Sequence, residues 1–325
     1  MSLKNRRLRA STALAAGALA LAVAAPSAAQ AQAAAPSPAY GATASGRILT
    51  FSLQNPLSVS SRSISGLAAG DRIVGIDERP VDGALYALTR GAGGAGRVYT
   101  IDPATGQATL AFALVAPGRT AATQPGTPIV LNGSEFGVDF NPAADALRIV
   151  SNTGQNLRAL PSDRVAAMVQ RFAGDTFTDG ALSYAPITAS PRPVEPGVNA
   201  AAYTNNDTNP ATATALFDID AVTQRDLVAQ NPPNDGTLTK VADLDLGLRQ
   251  VQGFDIRGAD EAYAVLGGTR LPAFIEAILL ARQFVPSLVP VRLVSLNLAT
   301  GAIAERGLVG TGSPLVGFTI DIPSA

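Results

Sequence analysis

The sequence predicts an all-β fold, a five-bladed β-propeller of four-stranded antiparallel blades, on three observations. A short motif recurs along the 325 residues at a spacing near sixty. Each copy is followed by the same succession of alternating strands and Gly, Asp and Pro turns. Each end of the chain supplies the part of a blade that the other end lacks.

The motif is Gly75-Ile76-Asp77-Glu78-Arg79-Pro80. It returns as Gly137-Val138-Asp139-Phe140-Asn141-Pro142 and as Gly253-Phe254-Asp255-Ile256-Arg257. Degenerate copies stand at Gly197-Val198-Asn199 and Gly317-Phe318-Thr319, so the starts fall at 75, 137, 197, 253 and 317. After the first copy, Ala84 to Leu88 leads through a Gly-rich turn to Arg97 to Asp102, and Pro103-Ala104-Thr105-Gly106 then turns into Gln107 to Leu114. Four period-two strands separated by such turns make one antiparallel sheet. A lone sheet cannot bury both faces, and radial stacking of copies removes most exposed edges. The last copy has only its first strand, Gly317 to Ile322. The missing strands stand at the other end as Tyr40 to Thr43, Arg47 to Phe51 and Val59 to Ile64, with Tyr40-Gly41-Ala42-Thr43 aligning to Tyr86-Ala87-Leu88-Thr89. Pairing of the terminal strands therefore closes the ring. A sixth blade stays open if the stretch from Pro161 to Asn199 holds a divergent copy.

Residues 1–33 read as a cleaved signal peptide. Lys4, Arg6, Arg7 and Arg9 form a basic start, an Ala/Leu run from about Thr12 to Ala25 follows, and Ala29-Gln30-Ala31 and Ala31-Gln32-Ala33 are small-residue cleavage sites. The apolar run is short of the roughly 20 residues that span a bilayer. Arg6-Arg7 resembles a twin-arginine pair, although only Leu8 supplies the apolar residues expected next. Residues 34–39 read as an Ala/Pro tether and 40–325 as a single propeller domain. Within it, 272–284 (Pro272 to Phe284) is free of turn residues and opens on Pro, which predicts a helical insertion. The expected destination is the periplasm or the medium.

Composition excludes several chemistries. With no His and no Cys there is no imidazole base, no Ser-His or Cys-His nucleophile, no zinc site of the usual kind and no disulfide. Four of the 24 basic residues and none of the 25 acidic ones precede residue 34, which leaves the remainder near −5. Nucleic acid is thereby disfavoured, because phosphate neutralisation needs a basic face. No membrane span is expected once the signal is cleaved. Lys240 is the only lysine after residue 33, hence the sole Schiff-base candidate, and reads as a solvated strand-end residue.

If the motif strand is innermost, Asp77, Asp139, Asn199, Asp255 and Thr319 fall on one ring around the channel. All five are oxygen donors, the ligand type that a hard cation such as Ca2+ prefers. Two residues on come Arg79, Asn141, Arg257 and Asp321, and pairing of Asp77 with Arg79 and of Asp255 with Arg257 would make the ring structural. The polar runs holding Asn152, Gln155, Asn156, Asn205, Asn206, Asn234 and Asp235 read as turns or as a polar rim. Arg148 and Arg158 are the nearest cations to that rim.

Phe136 to Pro142 with Leu147 to Arg158, followed by Ala202-Tyr203-Thr204-Asn205-Asn206, Leu216 to Asp220 and Gln230 to Leu238, strongly resembles a bacterial domain-of-unknown-function family, number 4394. The resemblance covers nearly the whole chain after the signal. It implies a secreted or periplasmic bacterial protein and brings no activity. The expected function is a non-catalytic binding or interaction module for an unknown protein or small ligand. The alternatives are a glycosidase-like hydrolase using Asp77, Asp139 and Asp255 with Glu78 or Glu135 as acid, or a Ca2+-dependent lactonase-like enzyme on the same ring.

Overall fold

The computed structural model describes residues 38–322 apart from 119–125, 163, 167–168, 185–195, 208, 210, 248, 268–289 and 311–312. The expected signal peptide and the expected helical insertion at 272–284 lie outside the described residues. No helix among the described residues is long and apolar enough to cross a membrane.

Five antiparallel sheets form the blades of a five-bladed propeller. The first is built from both ends of the chain: Leu315–Ile320 is its innermost strand, and Pro38–Thr43, Arg47–Ser52 and Asn55–Ser63 follow outward. The second runs outward from Arg72–Arg79 through Ala84–Arg90 and Gly96–Ile101 to Ala108–Ala113. The third uses Phe136–Asn141, Ala146–Ser151, Asn156–Ala159 and Thr176–Thr178. The fourth uses Val198–Tyr203, Leu216–Asp220, Asp226–Gln230 and Thr237–Asp243, with Ser183–Tyr184 added in parallel at its outer edge. The fifth uses Gln250–Arg257, Glu261–Gly267, Arg292–Leu296 and Ile303–Leu308.

Local chemistry sets the hairpins. In the second blade Asp102 Oδ1 accepts the Ala104 N–H at 2.8 Å, and Gly106 takes φ 81°, a conformation that suits a residue without Cβ. The fifth blade repeats this turn: Asn297 Oδ1 accepts the Ala299 N–H at 3.0 Å and Gly301 takes φ 70°.

Each of the five blade-to-blade interfaces carries its own apolar cluster. Ile48, Ile76, Leu85 and Tyr99 join the first blade to the second, and Leu49, Phe51, Val265 and Phe318 join the fifth to the first. Full burial of each such side chain contributes about 1.5–3 kcal/mol. The core is therefore divided into wedges between sheets, and its strength depends on the ring being closed.

Closure is made by Leu315–Ile320 pairing antiparallel with Pro38–Thr43, with Tyr40 opposite Thr319. This pairing corrects the tether boundary. Pro38 and Ala39 belong to the strand, and fully buried Ala39 sits opposite Ile320. The alternative of a sixth blade is also settled. The stretch from Pro161 to Asn199 supplies the outermost strand of the third blade, the added strand of the fourth and a separate ribbon, Arg164–Ala166 with Val169–Arg171.

Candidate functional site

The five innermost strands pack against one another around the axis, and their glycines let them come close. A Cβ on Gly137 would lie 2.6 Å from the Ala201 nitrogen, and one on Gly317 would lie 2.7 Å from the Ile76 nitrogen. The waist of the channel accordingly holds a void of only about 20 Å³. Different chemistry stands at the two ends of this waist.

Past the glycines, Asp77, Asp139 and Asp255 converge, with carboxylate oxygens all within 4.8 Å of one another, and each is buried. Each reaches across to the next blade. Asp77 Oδ2 accepts the Phe140 N–H at 2.7 Å, Asp139 Oδ2 accepts the Tyr203 N–H at 2.8 Å and Asp255 Oδ2 accepts the Ile320 N–H at 2.7 Å. The Thr319 hydroxyl lies 2.9 Å from both Asp77 Oδ1 and Asp255 Oδ2. A hydroxyl has one proton to donate, so both contacts are hydrogen bonds only when one carboxyl is protonated. The electrostatics agree. Burial, reinforced by Asp255, holds Asp77 well above the usual carboxylate range, and burial with Asp77 and Asp255 does the same to Asp139. Burial pushes Asp255 up to about 6, against the Ile320 and Thr319 hydrogen bonds that favour its charged form. Beside them, burial raises Glu78 to about 8, although its Oε1 accepts the Ile322 N–H at 3.0 Å.

Asn199 is not in this cluster. Asp139 reaches Tyr203 as Asp77 reaches Phe140, so the residue equivalent to Asp139 in the fourth blade is Ala202. The close approach of Gly137 to Ala200 and Ala201 gives the same register. The true fourth copy is thus Ala200-Ala201-Ala202-Tyr203, three residues beyond the expected one, and with Ala in place of Gly and of Asp its motif is erased. A weaker sequence signal marks it. Tyr86, Tyr263 and Tyr40 stand opposite Asp77, Asp255 and Thr319, and Phe217 stands opposite Ala202.

Among the described residues no hydrogen bond or ion pair joins Asp77 to Arg79, whereas the Arg257 charge favours the ionised form of Asp255. Arg79 binds Asp82 and Asp145, Arg257 binds Glu261, and Asn141 Oδ1 accepts the Ala144 N–H. Both arginines end their strands, where Asp82, Asp145 and Glu261 are within reach. Asp321 lies off the ring and accepts the Tyr40 hydroxyl at 3.2 Å.

At the other end the innermost strands begin, and they surround an open cavity of about 380 Å³. β-Bulges shape it. The pairing shifts register between Ile73 and Gly75, between Val198 and Ala200 and between Val251 and Gly253, which leaves Val74, Asn199 and Gln252 as the extra residues, all lining the cavity. Phe136 and Val316 complete the wall. Asn199 is 5% exposed, and its Nδ2 donates to Glu135 Oε2 at 2.8 Å and to the Val251 carbonyl at 3.1 Å. Those two acceptors fix the amide orientation, and Oδ1 then has no hydrogen-bond partner among the described residues. Glu135 therefore sits at the mouth, away from the aspartates with which it was grouped.

The polar runs act as stitching. Asn152 Oδ1 accepts the Ser134 N–H, Gln155 Oε1 accepts the Asn132 N–H, and Asn206 joins the Gly258 N–H to the Ile256 carbonyl. Asn205 Nδ2 donates to the Ala213 carbonyl, and Asp235 closes a short 3-10 turn. Arg148, expected near the rim, is 2% exposed. Its guanidinium donates to Asn156 Oδ1, Asp179 Oδ2 and Asn234 Oδ1, while Arg158 also meets Asp179. In the same interface lies a group that sequence reading missed. Asp218 is fully buried opposite Ala201 and Val228, burial pushes it up to about 8, and neither oxygen has a hydrogen-bond partner among the described residues. Lys240 lies between Asp226 and Asp243.

Comparison with known proteins adds a family and a fold. A family profile described as a domain of unknown function, DUF4394, matches residues 47–319. A comparison with curated proteins finds no match. Among solved structures, a protein from Lactobacillus plantarum is 16% identical at a TM-score of 0.34, covering 85% of this chain and 68% of its own. A proposed 6-phosphogluconolactonase from Bacteroides uniformis is 14% identical at a TM-score of 0.39, covering 85% and 83%. A proposed TolB from Agrobacterium tumefaciens is 8% identical at 0.32, covering 86% and 84%. At these scores the likenesses carry no inference about activity.

Proposed function

We propose a function from the geometry of the channel, because the chain belongs to the DUF4394 family of domains of unknown function and the family brings no activity with it. The reading is an exported, non-catalytic binding module that takes a small molecule in the open mouth of its channel. One observation carries it: an open cavity of about 380 Å³ lined by Asn199, whose buried Oδ1 has no hydrogen-bond partner among the described residues. An unmet buried acceptor costs about 1–3 kcal/mol, which a ligand's donor recovers. The volume falls within the range of about 300–1,000 Å³ typical of small-molecule sites.

Binding is favoured over the carboxylate hydrolase because the aspartates are already in use. Each accepts a backbone N–H of the next blade, and two share the Thr319 hydroxyl. A hydrolase needs one ionised carboxylate and one acid facing a bound substrate. The same commitments weigh against calcium in the cluster. Export rests on residues 1–33 and is tested by sequencing the N-terminus of secreted protein.

The site is tested by a fragment screen followed by NMR on residues 34–325. Hits that move the side-chain amide of Asn199 together with Val74 and Val316 support the mouth. A screen whose hits all map elsewhere, or that gives none, overturns it.

A further inference from the structure

Resting on the mouth as the binding site, we infer that its ligand is a small uncharged carboxamide, whose N–H is held by Asn199 and whose carbonyl is held by Gln252. These two side-chain amides have fixed orientations and opposite ends to spare. Asn199 Nδ2 donates to Glu135 Oε2 and to the Val251 carbonyl, so the free end of Asn199 is its oxygen. Gln252 is turned the other way. Its Oε1 accepts the Leu315 N–H at 2.9 Å, and its Nε2 has no hydrogen-bond partner among the described residues. Together the pair offers one acceptor and one donor.

The two amides come from neighbouring blades and adjoin one another on the wall. Each belongs to the extra residue of a bulge in an innermost strand, Asn199 in the fourth blade and Gln252 in the fifth. Asn199 Nδ2 lies 3.1 Å from the carbonyl of Val251, the residue bonded to Gln252. Both residues line the open cavity and also the narrow void of the waist. The bulge of the second blade supplies Val74 instead, and the first and third blades supply Val316 and Phe136, so the mouth has an apolar side as well as a polar one. Arg72 and Ser134 also line the cavity, but both are exposed, and water competes for them.

Ligand classes separate on this pair. A carboxylate or a ketone accepts from Gln252 Nε2 and leaves Asn199 Oδ1 unmet. An ammonium group donates to Asn199 and leaves Gln252 without an acceptor. A hydroxyl can do both only where one oxygen lies within reach of both side chains. A carboxamide spreads its donor and acceptor over two atoms, answers both residues and brings no charge to desolvate. The apolar side of the mouth favours a short hydrocarbon body beside that group.

The probes are butyramide, its isostere 2-pentanone, which lacks the N–H, butyrate and n-butanol, titrated up to tens of millimolar into 15N-labelled residues 34–325. The readouts are the side-chain amides of Asn199 and Gln252 and the backbone signals of Val74 and Val316. The expected result is saturable binding of butyramide at these residues, with the other three at least about tenfold weaker. Gln252→Glu keeps the oxygen that Leu315 uses and removes the donor, and it should weaken butyramide about tenfold. Asn199→Leu removes the acceptor and should abolish the margin of butyramide over 2-pentanone. Spectra recorded without ligand check that each variant is folded, and where one is not, the margins measured on the parent decide.

If 2-pentanone, butyrate or butanol binds as well as butyramide does, or if Gln252→Glu leaves butyramide binding unchanged, the carboxamide assignment is overturned and the mouth stands as a site. If no probe moves the mouth residues, the assignment is overturned as well. The fragment screen then decides separately whether the site itself falls.

Discussion

The two ends of the central channel are made by the same five strands and have opposite characters. At the end where the strands finish, three carboxyls are buried within 4.8 Å of one another, and each gives an oxygen to a backbone N–H of a neighbouring blade. At the end where the strands begin, bulged residues surround a cavity of about 380 Å³, and a buried amide oxygen goes unmatched. Polar groups at one end fasten the ring, and those at the other line an open cavity. The comparison teaches that a repeated acidic motif facing a channel can be an assembly device. Asp77, Asp139 and Asp255 each cross one interface, and Thr319 crosses another. At the interface between the fourth and fifth blades Ala202 takes the place of an aspartate, and it belongs to the apolar cluster there.

The most severe way to break this contrast is to open the ring. Deleting residues 316–325 removes the strand that pairs with Pro38–Thr43 and carries Thr319, Phe318 and Ile320. The expected outcome is loss of the cooperative melt. A truncated chain melting with the parent would mean that the terminal strands do not hold the ring.

Smaller but still large is Asp77→Ala, which leaves the buried Phe140 N–H without its acceptor and frees Thr319 from one partner. Urea denaturation at pH 5 should show a loss of about 1–3 kcal/mol. The loss should shrink at pH 8, where removing one of the mutually repelling carboxyls compensates. An equal loss at both pH values would contradict the repulsion.

A third effect follows from the direction of the shifts. Asp77, Asp139, Asp255, Glu78 and Asp218 all bind protons more tightly in the folded state than in the unfolded chain. Their favourable contribution is complete below the unfolded values near ~4 and is lost as pH rises through the folded ones. For Asp255 that lies near about 6, and for Glu78 and Asp218 near about 8. The melting temperature should therefore fall between pH 5 and pH 8.5, and Asp77→Asn should flatten the slope. A melting temperature that rises over this interval would place charged carboxylates in the folded state.

Calcium probes the same end. Because each aspartate already gives an oxygen to a backbone N–H, millimolar Ca2+ added after EDTA treatment should leave the melting temperature unchanged. A site filled to 100 times its dissociation constant would add about 2.7 kcal/mol and several degrees. A rise of that size, abolished by Asp139→Asn, would make the cluster a metal centre. The smallest effect belongs to the mouth, where Val316→Ser should change stability by no more than about 0.5 kcal/mol, as for a partly exposed position. A loss as large as that of Asp77→Ala would erase the distinction between the ends.

Much of this was legible beforehand because a repeat announces itself. Gly75, Gly137, Gly253 and Gly317 recur where innermost strands touch, and the lone strand at the end of the chain matches the three-strand start. The fourth copy was misplaced because Gly197-Val198-Asn199 resembles the motif better than Ala200-Ala201-Ala202 does. Backbone geometry keeps the register there, and no side chain marks it. The arginine partners were missed because sharing one face of an ideal strand, as Asp77 and Arg79 do, does not fix where a side chain goes at the strand's last residue. The mouth was missed because a bulge is a property of paired backbones, and Asn199 was noticed for the wrong place.

By itself, then, the sequence determined the blade repeat, the closure at the termini and the absence of imidazole and thiol chemistry, since periodicity and composition are properties of the chain alone. Which carboxyl meets which N–H, which arginine is buried and where a polar atom goes without a partner were decided only by the tertiary structure. Those outcomes depend on distances of a few ångströms between residues that in most cases lie tens of positions apart, and only packing sets such distances.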